Sequence, residues 1–146
     1  MIRVRMATQD DVTEILPRTQ ALNAEEGIVI DDVSLEAAIR RLLGDATLGA
    51  VWLAEDTGVI GHAVVTYGYD LEFGGRDAFL TELWVDAGQR RRGAATALLE
   101  RIADALRELD IRALHLQVRL DNPALRLYER LGFARSPRVV MTRRLV

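Results

Sequence analysis

The chain contains no cysteine, which excludes disulfides, thiolate nucleophiles and cysteine-bound zinc or iron–sulfur centres together. Lysine is absent as well, so all 19 basic residues are arginine. Histidine is confined to His62 and His115, too few and too far apart for a histidine metal site on one element. Aromatic residues make up only 5% of the chain and the isoelectric point is near 5.4, a poor basis for nucleic-acid stacking platforms. No apolar run approaches the ~20 residues of a membrane span. The first residues, Met1 to Asp11, lack the apolar stretch of a secretory signal. The expectation is a cytoplasmic protein that uses no metal and partners neither nucleic acid nor membrane.

What is present suffices for a core. The 146 residues are 49% apolar with mean hydropathy +0.04, the size and composition of one domain spanning residues 1–146. Charge is unevenly spread. Residues 1–75 hold 5 Arg against 13 acids, whereas residues 76–146 hold 14 Arg against 9. Such asymmetry suits an anion held by the C-terminal half and a cation received by the N-terminal half. Two solvated faces of opposite sign would give the same counts.

The pattern along the chain alternates strands and helices. Met1–Met6 reads as a strand, and Thr8 three residues before Asp11 starts a helix reaching toward Glu25. Pro17 lies inside that pattern and Gly27 stops it. Ser34 is the expected cap of a second helix carrying Leu35, Ala38, Ile39, Leu42 and Leu43, ended by Gly44. Gly49–Glu55 and Val59–Tyr67 form a hairpin, and Gly68–Asp77 reads as a loop or bulged connection. Ala78–Val85 is a strand whose alternation puts Leu80, Glu82 and Trp84 on one face. The loop Asp86–Arg92 feeds a helix of about 17 residues with a stripe of Leu98, Leu99, Ile102, Ala105, Leu106 and Leu109. Arg112–Arg119 is a strand, Asp121–Leu131 a short helix stopped by Gly132, and Val139–Leu145 a closing strand. A strand–helix–strand run needs a crossover, so the sheet is partly parallel and the class is α/β, with α+β layering.

The segment from Leu80 to Leu109 carries the chemistry. A helix start offers unpaired N–H groups and the positive end of the dipole, which suits a pyrophosphate. Gly93, Ala94 and Ala95 allow close approach, Thr96 adds a hydroxyl, and Arg90, Arg91 and Arg92 add positive charge. By itself the arginine run could also be a solvated turn.

Arg90-Arg91-Arg92-Gly93-Ala94-Ala95, after the strand Leu83-Trp84-Val85, resembles the Arg/Gln-x-x-Gly-x-Gly/Ala signature of the GNAT superfamily of N-acetyltransferases. Pro123 through Phe133 resembles the same family's Asn-x-x-Ala-x-x-Leu-Tyr-x-x-x-Gly-Phe pattern. Both stand in the family's order and separation, and the resemblance covers essentially the whole chain. It implies a mixed central sheet of about six to seven strands flanked by helices on both faces, and acetyl-CoA as acyl donor. It further implies that Arg91, Arg92, Gly93, Ala94, Ala95 and Thr96 hold the pyrophosphate, with Arg90 or Arg92 free to pair with phosphate. The backbone of Leu83 and Val85 would pair with the pantetheine arm. Tyr128 falls where the family protonates the departing thiolate; a tyrosine there could also be an amphipathic helix residue beside Leu125 and Leu131. The family's Asn position falls on Asp121, with Asn122 one residue late, and Arg91 stands where Gly is frequent.

An ammonium cannot attack a thioester until it loses a proton. Glu82, on the strand that by resemblance faces the acceptor cleft, is the candidate base, with an ion pair to an arginine as its structural alternative. Glu25, Glu26, Asp31 and Asp32, between the first two helices, would attract a cationic amine, and Tyr67, Tyr69 and Phe73 would supply an apolar wall. These carboxylates could equally be helix-end and turn residues without a ligand. The expected activity is acetyl transfer to a primary amine by direct attack in a ternary complex, no cysteine being available for a covalent intermediate. The acceptor would be a polyamine-like or aminoglycoside-like molecule, or a protein lysine or N-terminus. The alternative is a non-catalytic CoA-binding sensor. The family's habit of pairing through C-terminal strands implies a homodimer.

Overall fold

A computed structural model describes residues 1–146. Five strands, β1 (Arg3–Met6), β2 (Gly49–Glu55), β3 (Val59–Asp70), β4 (Gly75–Val85) and β5 (Ala113–Leu116), form one sheet in sequential order. Neighbours run antiparallel except β4 and β5, which are parallel. Helix α3 (Ala94–Glu108) supplies the crossover between them. Helices α1 (Val12–Glu26) and α2 (Asp32–Gly44) cover one face of the sheet, and α3 with α4 (Ala124–Arg130) covers the other.

Two cores follow from strand alternation. On β2, Val51 and Leu53 pack with Val12, Ile15, Leu35 and Ile39, while Ala50, Trp52 and Ala54 pack with Leu98, Leu99 and Ile102. A strand buried on both faces reads as a continuous apolar run, and Gly49–Ala54 is buried throughout. Each fully buried Leu or Ile contributes roughly 1.5–3 kcal/mol, so Leu53→Ala would damage the α1–α2 side most directly.

The helix signals are met with one exchange. Thr8 and Asp11 form the expected capping box, closing a single 3-10 turn that runs into α1. The helix continues through Pro17 and stops at Gly27, where φ is 71°. The cap of α2 is Asp31, not Ser34; the Asp31 carboxylate accepts from the Ser34 N–H at 2.7 Å. Residues Gly68–Asp77 are largely strand rather than loop, because β3 and β4 stay paired to Asp70 and Gly75 around a short turn.

The sheet has five strands, fewer than the six or seven expected. Val139–Leu145 does not pair with any strand. Residues 134–146 meet the body through the ion pairs Arg135–Glu129 and Arg138–Glu72, and their apolar side chains stay in solvent. A second correction concerns β4. Opposite Val64 and Val65, the residues are Glu82 and Leu80, so Thr81 is an extra, bulged residue. The bulge reverses the face of everything after it. Leu80, Leu83 and Val85 therefore share the α3 side, and Glu82 turns to α1, where Thr19 meets it.

Candidate functional site

The β4–β5 ladder stops at Leu80 and Leu116. Beyond that point the strands part, and a cleft of about 800 Å³ opens at the C-terminal end of β4. Leu83, Trp84 and Val85 line one side. Arg90, Arg91, Gly93, Ala94, Ala95 and Thr96 line its head, and Asp121, Asn122, Ala124 and Leu127 line the side opposite β4. Glu25 and Glu26 reach it from the end of α1.

The head of the cleft is built for an anion. Gly93 lies at φ 88° and Arg91 at φ 65°, the left-handed geometry that glycine adopts freely and that explains the frequent Gly at the Arg91 position. The first bond of α3 runs from the Ala97 N–H to the Gly93 carbonyl at 2.9 Å. The N–H groups of Ala94, Ala95 and Thr96 thus have no acceptor, and no side chain caps the helix. An uncapped helix start facing a cleft presents oriented donors and positive dipole to whatever enters.

The three arginines divide. Arg92 pairs with Asp56 and Gln89, away from the cleft wall. Arg90 donates to the Val85 carbonyl at 2.9 Å and stacks over the Trp84 ring at 5.0 Å. Arg91 has no ion pair and no hydrogen bond, so it is the one whose guanidinium is uncommitted. Asn122 accepts from the Ala124 N–H at 2.9 Å and so caps the first turn of α4. Asp121, at the family's Asn position, pairs with Arg119 at 3.1 Å, which holds its carboxyl below the usual range.

Tyr128 lies behind the wall formed by Leu127. It is 9% exposed, belongs to the α3-side core and stands edge-to-face on Phe133 at 5.9 Å. Burial raises its phenol pKa beyond the ordinary tyrosine value, so the phenol keeps its proton and is able to donate.

Glu82 is held rather than free. Its Oε1 accepts from Thr19 Oγ1 at 2.7 Å and lies 2.9 Å from His62 Nε2; no arginine pairs with it, contrary to the structural alternative. Neither partner was legible, because Thr19 comes from α1 and His62 from β3. The same holds for the meeting of Arg18 with Asp86. The guanidinium takes Asp86 by two bonds, 3.0 and 2.7 Å, and also donates to the Val59 carbonyl and to Glu14. Asp86 opens the loop to α3, so this pair pins the loop to α1.

Among the acceptor candidates, Glu25 and Glu26 stand in the cleft. Asp31 is a helix cap and Asp32 accepts from Gln20 at 2.9 Å. Tyr67, Tyr69 and Phe73 do not line the cleft. Arg76 covers the Tyr67 ring, Tyr69 is exposed, and Phe73 packs on His115 at the far end of the β3–β4 hairpin. Near that end Asp70, Asp77 and His115 bring one ligand atom each within 4.8 Å of one another. Asp77 there bonds His115 at 3.1 Å, and Asp70 caps the Leu71–Phe73 turn. No helix is long and apolar enough to cross a membrane.

The family model of the acetyltransferase (GNAT) family matches residues 16–133. The chain belongs to this family. It is an acetyl-CoA-dependent acetyltransferase by that membership. No curated protein matches it in sequence. Among solved structures it is similar to the integron cassette protein HFX_CASS3 from the mobile metagenome of Cole Harbour Salt Marsh, at 29% identity and TM-score 0.87 over 98% of this chain and 90% of that one. A predicted acetyltransferase with acetyl-CoA from Clostridium acetobutylicum matches at 20% identity and TM-score 0.81, covering 98% and 96%. The aminoglycoside acetyltransferase meta-AAC0020 from an uncultured soil metagenomic sample, in complex with sisomicin, matches at 15% and TM-score 0.77, covering 99% and 96%.

The acetyltransferase's own residues fit such a donor. Three unpaired N–H groups at the head of α3 suit a pyrophosphate, and the segment of β4 past Leu80 has no strand on its β5 side, leaving an edge for an extended arm.

Proposed function

We propose that residues 1–146 form a single cytoplasmic domain that transfers an acetyl group from acetyl-CoA to a primary amine by direct attack. The observation that carries this reading is the uncapped α3 start opening into the same cleft as the free edge of Leu83–Val85. In it the amides of Gly93, Ala94, Ala95 and Thr96 bind phosphate, with Arg91 as the mobile counter-charge. Arg90 swings off Val85 to admit the pantetheine arm, and the Asn122 amide group lies beside it. Bound acetyl-CoA supplies an activated thioester. A β4 amide polarises its carbonyl, which in a desolvated site is the larger part of the rate gain. Glu82 takes the proton of the amine, directly or through water, and Tyr128 gives one to the departing sulfur.

Glu25 and Glu26 in the cleft favour a cationic acceptor, such as a polyamine, an aminoglycoside, or a protein lysine or N-terminus. The exposed apolar tail at Val139–Val146 favours a homodimer. Calorimetric titration with acetyl-CoA, against ATP and adenosine diphosphate, tests the donor. Thiol release with spermidine, an aminoglycoside and a lysine peptide then tests the acceptor. Selective binding with amine-dependent release supports the reading. Binding without release by any amine supports a CoA sensor, and equal binding of ATP removes the assignment.

A further inference from the structure

Glu82, His62 and Thr19 make a cluster drawn from three elements, and its geometry is unusually lopsided. Both neighbours address the same carboxylate oxygen. Thr19 Oγ1 stands 2.7 Å from Oε1 and His62 Nε2 stands 2.9 Å from it, while Oε2 has no hydrogen-bond partner. Thr19 is 1% exposed and His62 is 0% exposed, so neither donor can turn to water instead. The Thr81 bulge creates this meeting, since it rotates Glu82 onto the face that carries His62 and Val64.

The protons can be assigned. An ionised carboxylate only accepts, so the Thr19 hydroxyl donates to it. The Nδ1 of His62 is buried without a partner. If Nδ1 carried hydrogen, a buried N–H would be orphaned, which costs about 1–3 kcal/mol. An unused lone pair there is the cheaper state. The ring is therefore the Nε2–H tautomer, and His62 is the second donor to Oε1.

We propose that Thr19 and His62 are positioning residues for the base. Together they occupy Oε1, fix the side-chain rotamer of Glu82, and leave Oε2 as the oxygen that receives the amine proton. His62 does not relay that proton, because its far nitrogen has nowhere to pass it. This rests on the reading of Glu82 as the base, and it separates from that reading experimentally.

Thiol release is measured with the fastest amine among spermidine, an aminoglycoside and a lysine peptide, for Glu82→Gln, Thr19→Val, Thr19→Ser, His62→Leu and His62→Gln. Val is nearly isosteric with Thr but has no hydroxyl, and the Gln amide N–H can stand near the Nε2–H position. Thr19→Val and His62→Leu are expected to lower kcat roughly tenfold or more through misplacement of the carboxylate, with the acetyl-CoA Kd unchanged. Thr19→Ser and His62→Gln recover kcat to within about threefold by the same positional argument. Thr19→Val in the Glu82→Gln background adds no further loss. If Glu82→Gln is inactive while Thr19→Val and His62→Leu are not, the positioning roles fall and the base stands. If Glu82→Gln keeps full activity, the base reading itself falls. A measurement on the unaltered protein runs beside these and needs no acceptor: imidazole nitrogen NMR at pH 8, where only two rings contribute. It is expected to show the Nε2–H tautomer for His62, with a resonance that moves in Glu82→Gln. A protonated Nδ1 overturns the proposal whatever the kinetics give.

Discussion

Arg18 holds Asp86 through two hydrogen bonds, 3.0 Å from Nε and 2.7 Å from the terminal nitrogen, and Thr19, the next residue, holds Glu82. One turn of α1 thus grips both ends of the last stretch of β4, the strand that lines the cleft. The helix is the clamp that keeps the strand end and the phosphate-side loop in register.

Breaking the Arg18–Asp86 end of the clamp, which adjoins the loop into α3, should cost both stability and binding. The Arg18 side chain is only 14% exposed, whereas Asp86 is 35% exposed, so the two ends are not equivalent. Arg18→Met strands Asp86 and Glu14 and frees the Val59 carbonyl. A loss of about 2–4 kcal/mol is expected, below the full range for buried pairs because Asp86 is partly in water. Asp86→Asn keeps one hydrogen bond and should lose roughly half as much. Urea unfolding gives both values. The acetyl-CoA Kd should weaken in each, because the loop into α3 starts at Asp86. A variant destabilised with unchanged Kd would remove the clamp's part in the site.

Glu82→Gln separates chemistry from cofactor binding. Glu82 does not line the cleft wall, and its partners Thr19 and His62 can hold an amide in place of a carboxylate. Turnover should fall by roughly 10²-fold or more, as for loss of a general base, with the acetyl-CoA Kd changed by less than about twofold. Steady-state thiol release and calorimetry give the two numbers. Equal loss of both, or of neither, would sink the assignment.

Tyr128→Phe tests the acid. The ring is a core element against Phe133, so Phe preserves the packing, and unfolding free energy should change by less than about 1 kcal/mol. If the phenol protonates sulfur, kcat falls by about 10²-fold at neutral pH. The pH dependence has a definite sign. Burial raises the folded pKa, so the folded state keeps its proton longer than the unfolded state, and this residue's share of stability is present below about pH 10 and lost as pH rises through the folded value. The alkaline stability limb should therefore flatten in Tyr128→Phe.

Acid should act elsewhere, at Asp11. The Arg5 guanidinium donates to both its oxygens, at 2.9 and 2.8 Å, and the Thr8 N–H adds a third bond at 2.8 Å. Chiefly through Arg5, its carboxyl is held down to about 2. A lowered folded pKa contributes stability that is complete above the ordinary carboxylate value and lost as pH falls through the folded one. With the side chain only 11% exposed, about 2 kcal/mol should disappear between roughly pH 5 and pH 2. Asp11→Asn should lose most of that at neutral pH and show a shallower acid limb in thermal unfolding. An unchanged acid limb would mean that another carboxylate carries it.

Local signals read well and meetings between elements did not. The Thr8–Asp11 box, the Gly27 and Gly132 stops, the α3 stripe and the small residues after Arg92 are each decided within a few neighbours, so sequence order displays them. The face of Glu82 depends on one bulged residue, Thr81, and a single insertion inverts every alternation argument downstream. Arg18 meets Asp86 across 68 residues, and Glu82 meets Thr19 across 63 and His62 across 20, separations that no spacing rule reaches. Ser34 and Asp31 show a milder case: both are good caps three residues apart, and the structure uses the earlier one. The tail Val139–Leu145 has a strand's composition, but a strand exists only where a partner edge receives it.

That tail supports the last prediction. Val139 is 81% exposed, Met141 89% and Leu145 86%, and burying each would contribute roughly 1.5–3 kcal/mol. Meanwhile β5 ends the sheet with its outer edge unpaired, a template for another strand. Its own tail does not take that edge. In the proposed homodimer the tail of one copy lies along β5 of the other and the exchange is reciprocal, which closes under a two-fold axis. Sedimentation equilibrium of the full chain should give twice the 16.3 kDa chain mass, and a chain ending at Arg138 should give the single mass while remaining folded by circular dichroism. The substitution Met141→Asp should act in the same direction without shortening the chain, because a buried unpaired charge opposes the exchange. A full chain that sediments as a monomer, or a shortened one that still pairs, would move the dimer contact off the tail.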